Sequence, residues 1–371
     1  MARASSSQFI PLRSLLRLLR RYDVDPKYRK RARGRVVFSL LTTPFRLWER
    51  VRYGRLIRNT RIPDAPVFLL GFGRSGTTHL HNLFWQAGFG IVSNYQAALH
   101  PIALTGRGRL ERFFAGQMPK TRPMDNVALS LDGPQEEEMA MLNASEHAPL
   151  HFMSFPREVP DLYERYVGDL GQDEADLRGW SRAYLEVLKK ATILSGGRRL
   201  ALKTPPNTGR IPVLQGLFPD ARFVHIVRNP YPVYQSMRNM YRKVLPGQVL
   251  QEFDWETIDA WVLEAYRRLM TKYLEDRKHI APERLFEVRY EDLDERPLEI
   301  LERIYHHLEL GDFGAVRPQL EMYLAELGTF EKNVFEFPRE IVEAVNENWG
   351  FAFEAFGYQR LDPGQAPATP S

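Results

Sequence analysis

Short apolar runs alternate with helical patterns along most of the chain from residue 66 onward. Runs of this kind, bounded by glycine or polar turns, predict buried strands at 66–70, 200–202, 223–227 and 285–288. Helical periodicity follows the first run at 77–86, and longer patterns at 256–273 and 340–356 predict packing helices. Strands that alternate with helices form parallel sheets with both faces covered. The pattern therefore predicts an α/β fold with a parallel sheet flanked by helices.

The first sixty residues follow a different pattern. Residues 11–22 predict an amphipathic helix whose apolar face is formed by four leucines, Leu12, Leu15, Leu16 and Leu19. The best apolar run, 36–47, is interrupted by polar residues and is shorter than the roughly 18 apolar residues of a spanning helix. No clear cleavage site of a secretory signal follows it. We predict three segments, a basic helical extension at 1–61, a single domain at 62–360 and a disordered tail at 361–371.

Charge is distributed unevenly along the chain. Residues 1–61 hold 17 of the 51 basic residues and only three of the 46 acidic ones, so the remainder is acidic. The acidic body gives no reason to expect a nucleic-acid partner. The basic helix at 11–22 has two interpretations, a surface helix packed on the body or an attachment to an anionic membrane surface. We therefore expect a cytoplasmic protein, with peripheral attachment to the inner face of the membrane as the open alternative.

The sharpest motif is Gly71-Phe72-Gly73-Arg74-Ser75-Gly76-Thr77-Thr78, between the first strand and its helix. It departs from the P-loop pattern G-x-x-x-x-G-K-[ST], because Thr77 occupies the lysine position. Glycines let backbone N–H groups approach a phosphate, and a helix N-terminus favours an anion. Arg74 supplies the positive charge that the missing lysine would provide. We therefore predict a phosphate-binding loop and a P-loop-type sheet.

Two further strand ends carry polar residues. The strand at 223–227 is followed by Arg228, and Ser236 lies eight residues later on the helix that begins near Pro230. A guanidinium and a hydroxyl suit a phosphate monoester. The strand at 200–202 is followed by Lys203 and a turn fixed by two prolines. The absence of cysteine excludes thiolate nucleophiles and zinc-thiolate sites.

Together these segments resemble the PAPS-dependent sulfotransferases, where PAPS is 3′-phosphoadenosine 5′-phosphosulfate. The similarity covers residues 66–358 and is to the bacterial branch with an R-S-G-T-T loop, related to protein-tyrosine sulfotransferases. It implies a single sulfotransferase domain, PAPS as donor, no metal, and a small-molecule or lipid hydroxyl as acceptor. The loop residues that it implies in phosphosulfate binding are Gly73, Arg74, Ser75, Gly76, Thr77 and Thr78.

The same resemblance assigns roles outside the loop. It implies that Arg228 and Ser236 hold the 3′-phosphate of PAPS, and that Lys203 acts with Arg74 in catalysis by reaching the sulfuryl group or its bridging oxygen. The segment 288–293, V-R-Y-E-D-L, resembles the family segment near the adenine and implies a role for Tyr290. Lys332 falls where the family carries a segment that closes over the nucleotide.

The general base is not decided by the resemblance. Residues 132–138 resemble the P-x-E-[DE]-E segment of the bacterial branch, which makes Glu136 and Glu138 candidates. These two point about 200° apart on a helix, so at most one faces the site. For Glu137 we expect a role at the helix dipole, and a carboxylate beside bound phosphosulfate should have a raised pKa. The rival bases are His79, His81, His147 and His151.

Two alternatives remain besides a sulfotransferase. A P-loop small-molecule kinase is disfavoured by the missing loop lysine and by the lack of a clear acidic strand end for Mg²⁺. A membrane-surface scaffold that binds a nucleotide without turnover is disfavoured by the presence of four site residues, Arg74, Lys203, Arg228 and Ser236.

Neither the acceptor nor the oligomeric state follows from the sequence. An aromatic-rich segment at 95–155 is expected to build the acceptor pocket and favours a lipid or hydrophobic alcohol. The aromatic residues expected in this pocket are Phe113, Phe114, Phe152, Tyr231, Tyr234 and Tyr241.

Overall fold

The computed structural model describes residues 9–108, 111, 116, 130–327 and 337–365. At its centre four parallel strands pair in the order β2-β1-β3-β4. Their bounds are β1 Val67–Leu70, β2 Ala201–Lys203, β3 Arg222–Val227 and β4 Leu285–Arg289. Each lies within two residues of the apolar run that predicted it, because continuous apolar runs suit strands buried on both faces. The predicted α/β fold is confirmed.

Helices cover both faces of this sheet. Those of the first part of the chain are α1 Leu12–Arg21, α2 Arg29–Leu41, α3 Thr43–Asn59, α4 Thr77–Gln86, α5 Asn94–Leu99, α6 Glu137–Ala144, α7 Val159–Tyr163 and α8 Glu174–Leu194. Those of the second part are α9 Ile211–Leu217, α10 Pro230–Val244, α11 Trp255–Asp276, α12 Tyr290–Glu295, α13 Pro297–His307, α14 Phe313–Leu327 and α15 Arg339–Phe356. The helices predicted at 77–86, 256–273 and 340–356 are all present.

The alternation of side chains along β1 divides the core into two layers. Phe68 and Leu70 face the larger cluster, which includes Trp180 of α8, whereas Val67 and Leu69 face a cluster built on α4 and α13. All four β1 side chains are buried. Burial of each stabilises the fold by roughly 1.5–3 kcal/mol. The sheet is thereby fixed between its layers, and its carboxyl edge is held in place.

The first helices pack onto the body. Leu15 and Leu18 of α1 are buried in the larger core cluster. Glu49 of α3 accepts a 2.6 Å hydrogen bond from Lys190 of α8, and both side chains are only 2% exposed. Of the two interpretations of residues 11–22, the structure therefore supports a helix packed on the body.

At the C-terminus, the boundary predicted for the disordered tail, residue 361, is too early. The Leu361 N–H donates a 2.7 Å hydrogen bond to the hydroxyl of Tyr231, which anchors the chain there. Residues 366–371 lie outside the described part. Within the described residues, no helix is long and apolar enough to cross a membrane.

Candidate functional site

Three parallel strands end at one edge of the sheet, where the predicted site residues meet. Leu69 of β1 pairs with Lys203 at the end of β2 and with Val224 of β3. The loop after β1, Lys203 and the residues after β3 consequently leave the sheet on the same side. In open parallel sheets this carboxyl edge is where ligands bind.

The loop after β1 is held tightly by its neighbours. Arg74 has a φ of 70° and Gly76, which precedes α4, a φ of 92°, both in the left-handed region. A Cβ atom on Gly76 would lie 2.2 Å from Cδ2 of Tyr290. The Gly71 N–H donates a 2.8 Å hydrogen bond to Oγ1 of Thr208. The sequence G-R-S-G-T-T thus produces a strained turn that leads into a helix N-terminus, as a loop for an anion requires.

The remaining loop residues lie as the motif suggests. Gly73 approaches α10 so closely that a Cβ atom would lie 2.9 Å from the sulfur of Met237. Ser75 and Thr77 are buried, whereas Thr78 in the first turn of α4 is partly exposed. The loop and α4 are therefore preformed and need little rearrangement to meet a ligand.

Two guanidinium groups converge beside this loop. Nε of Arg74 donates a 2.8 Å hydrogen bond to Oγ of Ser236 on α10. Nη1 of Arg228 lies 3.5 Å from the carbonyl oxygen of Arg74, and its guanidinium is 4.4 Å from the ring centroid of Tyr290. Residues from three distant parts of the chain are thus brought together. Two neighbouring guanidinium groups and a hydroxyl have the chemistry to bind a multiply charged anion.

A lysine–glutamate pair lies at the neighbouring strand end. Nζ of Lys203 donates a 2.7 Å hydrogen bond to Oε1 of Glu136, and the exposed fractions of these side chains are 4% and 24%. Lys203 is rigid because it is the last residue of β2. Glu136 is the more accessible partner, so it can meet a molecule that enters from solvent.

The other two acidic residues of this segment are buried. Glu138 pairs with Arg210 at 2.8 Å, and both side chains are 0% exposed. Glu137 accepts 3.0 Å hydrogen bonds from the Tyr184 hydroxyl and from Nδ2 of Asn207. Both glutamates therefore bind partners inside the protein.

These contacts correct two expectations about the acidic segment. Glu136 precedes α6 with extended dihedral angles, so the angle of about 200° between Glu136 and Glu138 does not apply. Glu138, predicted as a candidate base, is sealed in an ion pair with Arg210 and cannot meet an acceptor directly. Glu137 does more than favour the helix dipole, because it joins α6 to α8 and to the turn after β2.

The histidines predicted as rival bases contact other parts of the protein. Nε2 of His81 lies 3.2 Å from the carbonyl oxygen of Ala201, and burial, aided by the charge of Lys203, lowers its pKa to about 3. Burial lowers the pKa of His151 to about 4, and that of His79 also falls. His147 packs edge-on against Tyr166. No hydrogen bond in the described ranges joins any of them to Lys203 or Glu136. Among these candidates, Glu136 is the residue that contacts Lys203.

Burial raises the pKa of the Glu137 carboxyl to about 7. Its second oxygen, Oε2, has no hydrogen-bond partner among the described residues, as a protonated carboxyl would allow. When a carboxyl is ionised in the unfolded chain but neutral in the fold, the free energy of unfolding of the protein falls as pH rises. The loss begins near the ordinary pKa of 4.5 and is complete just above 7.

We therefore expect Glu137→Gln to change stability in a pH-dependent way. From pH 5 to pH 8 the free energy of unfolding of the wild type should fall by about 1–3 kcal/mol relative to the variant. Urea unfolding at both pH values measures this difference. Glu347→Gln, at an exposed position of α15, is the control and should show none. A wild-type-minus-Glu137→Gln difference that stays constant with pH would contradict the buried neutral carboxyl.

Comparison with known proteins decides the family. The model of the sulfotransferase family matches residues 66–313, which include β1 to β4 and the strand ends described above. The chain belongs to the sulfotransferase family. The resemblance recognised in the sequence is thus confirmed, and the protein is a sulfotransferase enzyme.

Curated relatives and solved structures agree with this assignment. The sulfotransferase is 34% identical over 340 residues to omega-hydroxy-beta-dihydromenaquinone-9 sulfotransferase Stf3 of Mycobacterium bovis and of Mycobacterium tuberculosis, covering 90% of this chain and 85% of each relative. Its fold is similar to that of STF9 from Mycobacterium avium, with a TM-score of 0.65 and 20% identity over 97% of this chain and 93% of the other. STF1 from Mycobacterium tuberculosis has a TM-score of 0.61 at 16% identity, over 91% and 90% of the two chains.

Some residues predicted around the site are found elsewhere. Tyr231 and Tyr234 are buried in a cluster with Trp349, so they do not line an acceptor pocket. Phe152 and Tyr241, by contrast, meet edge to face with ring centroids 5.6 Å apart, and the negative charge of Glu136 contributes to the raised pKa of Tyr241. Phe113, Phe114 and Lys332 lie outside the described residues.

The residues that hold the candidate site in place from inside the protein were not predicted from the sequence. Tyr184, Asn207 and Arg210 hold Glu137 and Glu138, and Thr208 holds the loop. Three of these four follow Lys203 in the run P-P-N-T-G-R. The position of these polar residues, soon after a strand end that carries Lys203, could have indicated their role.

Proposed function

We propose that this sulfotransferase moves a sulfuryl group from PAPS to the hydroxyl of an apolar acceptor. The observation that carries the proposal is the convergence of Arg74, Arg228 and Ser236 beside the pair of Lys203 and Glu136. An anion site next to a cation and a carboxylate is what transfer of a charged group to a hydroxyl requires.

The chemistry of these side chains fits the two charged ends of PAPS. The preformed loop and the N-terminus of α4 suit the 5′-phosphosulfate, with Arg74 as its cation. Arg228 and Ser236 suit the 3′-phosphate, and the ring of Tyr290 beside Arg228 suits the adenine. When bound, the donor supplies an electrophilic sulfuryl group and a phosphate leaving group.

Glu136 then acts as the general base and Lys203 as the cation that stabilises developing charge. The ammonium of Lys203 lies 2.7 Å from Oε1 of Glu136 and neutralises its charge. An entering anion competes for this ammonium and frees the carboxylate to accept the proton of the acceptor hydroxyl. As that oxygen bonds to sulfur, the bond from sulfur to the phosphate oxygen breaks, and Lys203 stabilises the negative charge left there.

An apolar acceptor is supported by the surroundings of Glu136. The pKa of Tyr241 is raised by burial and further by the negative charge of Glu136, so the two residues are neighbours. Together with Phe152, Tyr241 forms an aromatic wall beside the proposed base. The curated relative is named for an omega-hydroxylated dihydromenaquinone. We propose a hydroxylated isoprenoid or similar lipid alcohol as the acceptor class of this chain.

Removal of the Arg228 guanidinium tests the donor assignment. Arg228→Ala should weaken adenosine 3′,5′-bisphosphate binding by about 10- to 150-fold, which corresponds to about 1.5–3 kcal/mol for a charge-assisted contact. Binding of adenosine 5′-monophosphate, which lacks the 3′-phosphate, should change far less. Isothermal titration calorimetry with both ligands measures the contrast.

The control for this experiment lies at the far end of β3, the strand that Arg228 follows. Arg222→Ala removes a guanidinium at the opposite end of β3, where it contacts the carbonyl oxygen of Leu308. It should leave both affinities unchanged. Equal losses for the two ligands in Arg228→Ala would refute the 3′-phosphate site, and wild-type preference for ATP would favour a kinase.

A further inference from the structure

Helices α2 and α3 bury several polar side chains and expose many apolar ones. Their buried side carries Arg35, whose Nη1 donates to Oγ of Ser154 at 2.8 Å, and Ser39, which donates to the carbonyl oxygen of Ile10 at 2.7 Å. Glu49 is also buried, paired with Lys190. Polar contacts therefore help to attach both helices to the body, in addition to the apolar contacts of Ala32, Val36 and Phe38.

The outward side of the two helices is apolar. Val51 is 80% exposed and Trp48 58%. The apolar side chains of the two helices that are more than half exposed form a surface that we call the outer face: Val37, Leu40, Leu41, Phe45, Leu47, Trp48 and Val51. Large apolar side chains that cluster on a surface indicate an interaction site, whereas isolated ones do not.

These side chains form one continuous surface. The helical hydrogen bonds run through Thr42, from its N–H to Phe38 and from Arg46 to its carbonyl oxygen, so α2 leads directly into α3. At about 100° per residue, the seven side chains fall within an arc of about 160°. An apolar stripe of this width suits a helix that lies in a membrane interface.

Positive charge surrounds the outer face. Seven exposed basic residues belong to α2 and α3, and none of them forms an ion pair in the parts of the chain that the structure describes: Arg29, Lys30, Arg33, Arg50, Arg52, Arg55 and Arg58. The single acidic residue of the two helices, Glu49, is buried and already paired. The exposed charge of this surface is therefore entirely positive.

A cleft beside α3 adds to this charge. It has a volume of about 770 Å³, and its lining includes Arg13, Arg50, Arg58 and Arg182, while its three glutamates are paired with Arg17 or Lys190. None of these four side chains forms an ion pair within the described residues. Such a cleft suits the anionic headgroups of lipids next to those that the outer face contacts.

We infer that the outer face docks onto an anionic lipid bilayer, with the apolar stripe inserted and the arginines at the headgroups. The charge complementarity argues for this partner. A symmetric contact with a second copy would place seven cations against seven cations, which electrostatic repulsion opposes. The assignment differs from attachment through α1, since the apolar side of α1 is buried in the core.

Vesicle sedimentation with the full chain tests this inference. The wild type should bind phosphatidylcholine vesicles that contain phosphatidylglycerol, bind pure phosphatidylcholine much more weakly, and lose binding as salt is added. Trp48→Asp/Val51→Asp should lower the partition coefficient at least about 10-fold, because two inserted side chains become charged. Arg52→Gln/Arg55→Gln should lower it by about 5-fold per charge.

Met322→Asp is the control, because Met322 is an apolar residue of α14 with 56% exposure. It should bind vesicles like the wild type. All variants should bind adenosine 3′,5′-bisphosphate normally, which separates this test from the proposed function. Vesicle binding that is absent in the wild type, or unchanged in both double variants, would overturn the inference. The inference would also be overturned if the wild type formed a dimer that does not bind vesicles and if Trp48→Asp/Val51→Asp were monomeric.

Discussion

Glu136→Gln is expected to lower kcat by about 10²- to 10⁴-fold, the usual contribution of a general base. The amide keeps the shape of the side chain but cannot accept the proton of the acceptor hydroxyl. Binding of adenosine 3′,5′-bisphosphate should remain near the wild-type value, because Arg74, Arg228 and Ser236 are untouched. Steady-state turnover and calorimetric binding, measured on the same preparation, separate the two effects.

The controls for Glu136→Gln distinguish it from its neighbours. Glu347→Gln, at an exposed site, should leave turnover unchanged. His81→Ala, His147→Ala and His151→Ala should retain turnover in proportion to the folded fraction, because these side chains contact other groups. Near-normal turnover in Glu136→Gln together with collapse in one histidine variant would move the base to that histidine.

Lys203→Met should lower kcat by about 10²- to 10³-fold, the effect of removing one group that stabilises transition-state charge. Methionine retains much of the length of the side chain at the end of β2 but carries no charge. The KM for the acceptor should change little, because the ammonium acts on the leaving group. The exposed Lys243→Met is the matched control and should be silent.

A double-mutant cycle makes the Lys203 result sharper. If Lys203 both neutralises Glu136 at 2.7 Å and stabilises the leaving group, the losses in Lys203→Met and Glu136→Gln should not add. Strict additivity of the two losses would mean that the residues act independently, contrary to the exchange of partners proposed for Lys203.

The sheet and the meeting of the candidate site residues could be predicted from the sequence, because local patterns and strand topology determine both. Unbroken apolar runs identify buried parallel strands, and glycine-rich turns with arginine at strand ends identify phosphate sites. The meeting of Arg74 with Ser236 follows from topology, since parallel strands present their carboxyl ends at one edge.

The roles of the three acidic residues could not be predicted in the same way. Glu136, Glu137 and Glu138 are adjacent and chemically alike, and their fates depend on partners distant in the chain. Arg210 fixes Glu138, whereas Tyr184 on α8 fixes Glu137. The angle predicted between Glu136 and Glu138 assumed that both lie on one helix, which is wrong because α6 begins one residue after Glu136.

The outer face escaped prediction for a related reason. Helical periodicity indicates which residues share a side, and the usual rule places the apolar side inward. In α2 and α3 many apolar side chains face outward, because buried partners such as Ser154 and Lys190 satisfy polar side chains on the inner side. Only tertiary contacts decide which side of such a helix faces the core.

We propose that this protein transfers a sulfuryl group from PAPS to an apolar alcohol, with Glu136 as the general base. Sulfur-labelled PAPS incubated with a detergent-solubilised omega-hydroxylated isoprenoid quinone tests it most directly. We predict labelled lipid that gains the mass of one SO₃, release of one adenosine 3′,5′-bisphosphate per product, and loss of both signals in Glu136→Gln. Phosphoryl transfer from ATP to the same alcohol, with no labelled product from bound PAPS, would show that the protein is not a sulfuryl transferase for this alcohol.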